Sequence, residues 1–167
     1  MKKIFIYSSS NGQSLKICET LNEEKDSLIL NIDRLNSVNL DNFDQIIIGA
    51  SVKYGDHNKK IYNFVKNNKI LLKRKKTVFF SVNATARKSE KNTPNTNPYI
   101  IKFLKKTNWK PDHIGVFAGK IDFPNYNFLE KYIIKFIMWI TNGPTDTTKT
   151  YEFTDWDAVK KFSREIN

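Results

Sequence analysis

The residues with the clearest chemical potential stand together near the start of the chain. Ser8, Ser9, Ser10, Asn11, Gly12, Gln13 and Ser14 follow the apolar run Ile4–Tyr7 and precede an apolar pattern of a different period. A plain turn needs only a few such residues, so this many small polar groups at a strand-to-helix junction suit an anion. Backbone N–H groups at the start of the following helix point into such a loop, and the helix dipole favours negative charge there. Gly12 lets the backbone turn closely, while the Ser9, Ser10 and Ser14 hydroxyls and the Asn11 and Gln13 amides add donors. Neither Walker A nor the G-x-G-x-x-G dinucleotide fingerprint is present. What the loop suits is a single phosphate, of the sort FMN carries. A capped strand-helix turn without a ligand accounts for the same residues.

Two later segments could share that ligand. In "GASVKYG", Ser51, Tyr54 and Gly55 follow a strongly apolar run; Tyr54 could lie against a planar ring and Gly55 could let backbone approach the ring edge. A tyrosine packed at the end of a sheet is the alternative. Ser81, Val82, Asn83 and Ala84 follow a fourth apolar run and could offer backbone and amide groups to the pyrimidine edge of a flavin. His57 either shuttles protons or is a solvated or helix-capping residue, and His113 reads as structural. Cys18 is the single cysteine, which excludes an intrachain disulfide and a thiolate metal cluster. Its neighbours Leu15, Ile17 and Leu21 suit a buried thiol. No metal site is expected.

Alternating strands and helices must position these loops. Strands are expected at Ile4–Tyr7, Ser27–Ile32, Asp44–Ala50, in "KKTVFFSVN" and at His113–Gly119. Helices are expected at Gln13–Glu24, Asp56–Leu72 and Tyr99–Lys106, with a last one in "TDWDAVKKFSREI" capped by Thr154 in a capping box with Asp157. Near-continuous apolar strands alternating with helices imply a parallel sheet covered on both faces. The expected architecture is a three-layer α/β domain over residues 1–167, with five parallel strands in the order 2-1-3-4-5. That fold binds ligands at the carboxyl ends of its strands, near the switch between the first and third. The loops after strands one, three and four would converge there. Residues 120–150 form a long insertion after strand five.

The chain has 167 residues, 28 Lys plus Arg against 17 Asp plus Glu, and a net charge of +11. Such a field attracts nucleic acid, anionic small molecules or an acidic membrane surface, or serves solubility alone. Aromatics are not interleaved with the basic residues, and no helix-turn-helix or zinc pattern appears, so no nucleic-acid partner is expected. The apolar run after "MKK" is too short for a signal sequence, so a cytoplasmic location is expected.

The run "SVNATARKSEKNTPNTNPY" (Ser81–Tyr99) resembles the menaquinone-dependent protoporphyrinogen oxidases, a bacterial flavodoxin-like family. So do "IGASVKYG", "WKPDHIGVFAGKIDFPNY", "IMWITNGPTDTTK" and "YEFTDWDAVKKFSREI", in order along almost the whole chain. The resemblance implies an FMN enzyme of late haem synthesis. It would dehydrogenate protoporphyrinogen IX to protoporphyrin IX and pass electrons to menaquinone or another quinone. Ser9 and Ser14 stand where threonines are common in that family, which keeps the hydroxyls; Pro144 stands where Glu is expected. The substrate's two propionates would suit Arg87 and Lys88, and less strongly Lys53, as binding residues. No paired carboxylates or nucleophile-base pair stand out, and flavin chemistry needs none.

"FLEKYIIKFIMWI" (Phe128–Ile140) reads as an amphipathic helix with Lys131 and Lys135 a turn apart. At about 1.5 Å per residue it spans about 20 Å, short of the roughly 30 Å hydrocarbon layer. It could lie in the interface of an anionic membrane, aided by Lys73-Arg74-Lys75-Lys76, or dock on the sheet or on a second copy of the chain. The competing functions are a flavodoxin-type electron carrier, to which a charge of +11 is ill suited, and an NAD(P)H-quinone reductase.

Overall fold

Near-continuous apolar runs become strands here because both faces of the sheet are covered. The computed structural model describes residues 1–22, 27–35 and 38–167. Strands β1 (Lys3–Ser8), β2 (Leu28–Asn31), β3 (Gln45–Lys53), β4 (Asp56–His57), β5 (Lys76–Val82) and β6 (His113–Phe117) form one sheet. Its parallel path runs β2-β1-β3-β5-β6, the expected order, with the short β4 folded back antiparallel on the end of β3. Chain order reverses between β1 and β3, so a crevice opens at their carboxyl ends.

Period-two alternation divides each apolar strand between two cores. Ile4, Ile6, Ile46, Ile48 and Phe79 face helices α2 (Lys59–Asn67), α3 (Lys69–Leu72) and α4 (Pro98–Thr107). On that side the Phe79 and Phe103 rings stack at 4.3 Å, with Trp109 edge-on to both. Phe5, Ile47, Val78, Phe80 and Val82 face α1 (Gln13–Leu21) and α6 (Trp156–Ile166) through Ile17, Leu21, Val159 and Phe162. Cys18 lies in this second core, where burial pushes its thiol well above the usual range.

Several boundaries differ from expectation. The first helix is described to Leu21, and Glu24, its expected end, lies outside the described residues. The segment Asp56–Leu72 is not one helix: Asp56 and His57 pair with β3, Asn58 caps α2, and Asn68 separates α2 from α3. Asp155, not Thr154, caps α6 by accepting from the Ala158 N–H at 2.9 Å. The Thr154 hydroxyl is spent elsewhere, donating to the Ala118 carbonyl at 2.8 Å. The insertion holds β7 (Lys120–Asp122), α5 (Phe128–Ile140) and, at its end, β8 (Thr150–Glu152), which pairs antiparallel with β7.

His57 is neither solvated nor a cap. It is buried among Tyr62, Phe79 and Phe103, with Nε2 hydrogen-bonded to Ser81 Oγ at 2.8 Å. Burial lowers its pKa to about 4, against a partly opposing pull from Asp56. The unfolded chain therefore binds a proton near pH 6.5 that the folded chain refuses until about pH 4, so stability rises with pH across that window. Urea titrations should show about 3 kcal/mol lost on this account between pH 7 and 4. In His57→Gln, which keeps a partner for Ser81, that slope should be absent; a retained slope would place its origin elsewhere.

Gly49 sits opposite Phe80 in the register of β3 and β5, and a Cβ there would fall 2.2 Å from the Phe80 ring. Gly49→Ala should therefore cost about 1–3 kcal/mol of overpacking, read as a lower urea midpoint with an unchanged slope. An unchanged midpoint would show that the ring can move aside.

Candidate functional site

The chain turns at Ser9–Gly12 between β1 and α1, with Gly12 in the left-handed region at φ +80°. No side chain caps α1 from that glycine. Instead, long hydrogen bonds of 3.3 Å run from the Gln13 N–H to Asn11 Oδ1 and from the Ser14 N–H to Ser9 Oγ. The Ser8 and Ser14 hydroxyls are buried and have no hydrogen-bond partner among the described residues. Leaving such groups unpaired costs about 1–3 kcal/mol each. Phosphate oxygens at the loop would pair hydroxyls at a point where the helix dipole also favours them. The residues present fit the phosphate of FMN.

Two expected donors are turned away. Asn11 Nδ2 donates to the Lys120 carbonyl at 2.7 Å, and Gln13 Nε2 donates to Glu152 Oε1 at 3.0 Å and Thr154 Oγ1 at 2.7 Å. Their amides anchor the loop to the β7–β8 ribbon and are committed there. Ser10 Oγ lies 3.2 Å from Ser51 Oγ, joining the first loop to the end of β3.

Beyond β3, what reads as a loop is a hairpin. Ser51, Val52 and Lys53 are still strand, and Tyr54 and Gly55 turn the chain at φ +52° and +79°. Both central residues at positive φ mark the tight turn whose twist matches antiparallel strands. The Tyr54 ring stands at the tip, 65% exposed, with its hydroxyl donating to Glu130 Oε1 at 2.8 Å. Lys53 Nζ reaches the same oxygen at 2.6 Å. Lys53 and then Tyr54 hold the Glu130 carboxyl below its ordinary range.

After β5, Val82, Asn83 and Ala84 line the crevice, but Ser81 and the Asn83 amide turn inward. Asn83 Nδ2 donates to Ser81 Oγ at 3.0 Å, and its Oδ1 accepts from the Ala86 N–H at 3.0 Å and from Asn97 Nδ2 at 3.1 Å. Asn97 in turn caps α4. This network gives shape to the polar stretch Asn83–Pro98. Arg87, expected to meet a carboxylate, donates to the Ala84 carbonyl at 2.8 Å and to the Thr141 carbonyl and Oγ1 at 3.0 and 2.8 Å. It braces the far end of α5 and borders the crevice; burial lowers its pKa. Lys88 is half-buried and is not among the lining residues.

The three loops enclose a cavity of about 820 Å³ with α5 as one wall. Ser10, Asn11, Ser51, Tyr54, Gly55, Val82, Asn83 and Ala84 meet there, whereas Ser9, Gly12, Gln13, Ser14 and Ser81 are not among its lining residues. The α5 contribution was not anticipated: Glu130, Ile133, Ile134, Ile137, Met138 and Thr141 line it, at spacings of one helical turn. That spacing was the available signal. Lys120, on β7, also reaches this cavity and pairs with Asp122 at 3.2 Å.

Residues 4–148 match the flavodoxin domain family. A protoporphyrinogen IX dehydrogenase (quinone) of Escherichia coli is 38% identical over 171 residues, covering 99% of this chain and 94% of its own length. One from Leishmania major is 39% identical over 171 residues, covering 99% of this chain and 74% of its own. Among solved structures, oxidised Flavodoxin 2 from Bacillus cereus superposes with a TM-score of 0.55 at 14% identity, covering 99% of this chain and 97% of that one. That likeness concerns the fold alone. By the family match and by near full-length similarity, the chain is a flavodoxin-domain protein and belongs to the family of the protoporphyrinogen IX dehydrogenases (quinone).

Proposed function

We propose that this protein oxidises protoporphyrinogen IX to protoporphyrin IX with FMN as cofactor and a quinone as electron acceptor. The observation that carries the reading is the pairing of a large carboxyl-edge cavity with two buried hydroxyls that have no partner among the described residues, Ser8 at the end of β1 and Ser14 in the first turn of α1. Bound there, FMN would accept two electrons with each pair of hydrogens removed, and a quinone would take those electrons before the next pair leaves the macrocycle. The chain's own residues bind, orient and exclude. Ser9, Ser10, Ser14 and the first N–H groups of α1 would hold the phosphate, Tyr54 would flank the ring, and the backbone of Val82, Asn83 and Ala84 would meet its edge. The α5 wall of Ile133, Ile134, Ile137 and Met138 keeps water from the reacting face. Lys53 and Lys120 border the same cavity, each offset by the carboxylate it pairs with, so the positive charge left for the propionates is that of Arg87.

We further propose that α5 rests on an anionic membrane surface at the cytoplasmic side and that the acceptor is menaquinone. Phe128, Leu129, Tyr132, Phe136, Trp139 and Ile140 are exposed on α5, with Lys135 exposed among them. That composition suits an interfacial helix. Among the described residues no helix is long and apolar enough to cross a membrane. The basic run Lys73-Arg74-Lys75-Lys76 does not join this surface. It enters β5 at the opposite edge of the sheet, where Arg74 pairs with Asp41 at 3.7 Å and Lys75 donates to the Asp41 carbonyl at 2.8 Å.

Anaerobic mixing of FMN-loaded protein with protoporphyrinogen IX should bleach the flavin absorbance, and menaquinone in anionic vesicles should restore it. The double variant Phe136→Glu/Trp139→Glu should bleach normally and recover with a water-soluble quinone, yet recover at least tenfold more slowly with the vesicles. Absent bleaching would contradict the enzymatic reading. Equal recovery from vesicles would contradict the membrane surface, and self-association lost in the variant would assign it to a second copy.

A further inference from the structure

Helix α5 is held more by its two polar ends than by its packing. Met138 is its one buried side chain, with Ile134 packed alongside in a small core around Phe123. Near the carboxyl end Thr141 is tied to Arg87; near the amino end Glu130 is tied to Lys53 and Tyr54. Asn127 caps α5 by accepting from the Glu130 N–H at 2.9 Å, so Asn127-x-x-Glu130 has the spacing of a capping box. In such a box the carboxylate reaches back to the N–H of the capping residue. Here it reaches the Asn127 N–H and also crosses to the β3–β4 hairpin, where Oε1 accepts from the Tyr54 hydroxyl and from Lys53 Nζ.

The consequence falls on the Tyr54 ring. An exposed tyrosine on a two-residue turn samples several rotamers, and ordering it costs entropy. A charge-assisted hydrogen bond to its hydroxyl selects one of them. Lys53 Nζ lies 5.1 Å from the ring centroid and completes the clamp. The Glu130 side chain is itself only 18% exposed and borders the cavity, so the clamp sits at the seam between the hairpin and the α5 wall.

We propose that Glu130 is a positioning residue of the flavin site: through Tyr54 and Lys53 it sets the ring against which the cofactor lies and couples that ring to α5. The proposal rests on the reading of the cavity as an FMN site. Coupling is reciprocal, so FMN binding holds α5 in place, and loosening α5 weakens FMN binding.

The test measures FMN affinity, the flavin fluorescence remaining at saturation, and amide exchange over 128–140. These are compared among the wild type, Glu130→Gln, Tyr54→Phe and the double variant. In the wild type FMN should slow exchange across α5. Each single substitution should weaken FMN binding about tenfold, the equivalent of one charge-assisted hydrogen bond. Each should also raise the residual fluorescence at saturation, which a simple loss of stability would not do. The double variant should bind no more weakly than the single ones, because both remove the same link. Wild-type affinity and quenching in Glu130→Gln would overturn the proposal, as would additive losses in the double variant. A wild type that binds no FMN would instead overturn the reading on which the proposal rests.

Discussion

A parallel sheet covered on both faces has little room for chemistry except at its ends. Ile4, Ile6, Ile46 and Ile48 on one side and Phe5, Ile47, Val78 and Phe80 on the other are committed to packing. The strand ends are where backbone N–H groups and small polar side chains can remain without partners. Two such groups meet where β1 hands over to α1: the Ser8 and Ser14 hydroxyls are buried and have no hydrogen-bond partner among the described residues. Two buried hydroxyls without acceptors are a standing cost to the apoprotein. An anion that pairs them gains what the fold forgoes, and the rest of the site is arranged around that exchange.

The remainder of the edge is built to hold loops still rather than to present many side chains. Asn11, Gln13, Asn83 and Arg87 all read as ligand-facing groups, yet each is spent on tying one segment to another, Asn83 by way of Asn97. Buried polar networks of this kind specify one arrangement when every member is satisfied. The interior of the crevice is left to backbone, to Tyr54 and to the apolar wall of α5. Such a surface suits a planar, largely apolar ligand pair better than hydrolysis or group transfer, which need a placed nucleophile or base. His57 fits this division, since burial keeps it neutral inside the aromatic core.

Much of this was legible in the sequence, because the relevant signals are local or periodic. The strand runs, the order of the sheet and the bounds of Phe128–Ile140 follow from apolar spacing and breaker residues. The partners of polar side chains do not. That Gln13 would reach Glu152 and Thr154, or Arg87 reach Thr141, depends on contacts between segments more than fifty residues apart. Likewise Asp56 and His57 have helix-compatible neighbours, but the turn at Tyr54 and Gly55 returns them to β3 before α2 can begin. Alternation on α5 showed an apolar helix. Which stripe faces the cavity and which faces outward was decided by Met138, Ile134 and the ends fixed at Glu130 and Thr141.

The central claim is that the first loop grips a phosphate belonging to a flavin held at the carboxyl edge. Calorimetric titration of the apoprotein with FMN and, separately, with riboflavin tests it most directly, since the two ligands share the ring and differ in the phosphate. The account predicts one FMN per chain, bound at least a hundredfold more tightly than riboflavin. Equal affinities, or no heat with FMN, would contradict it.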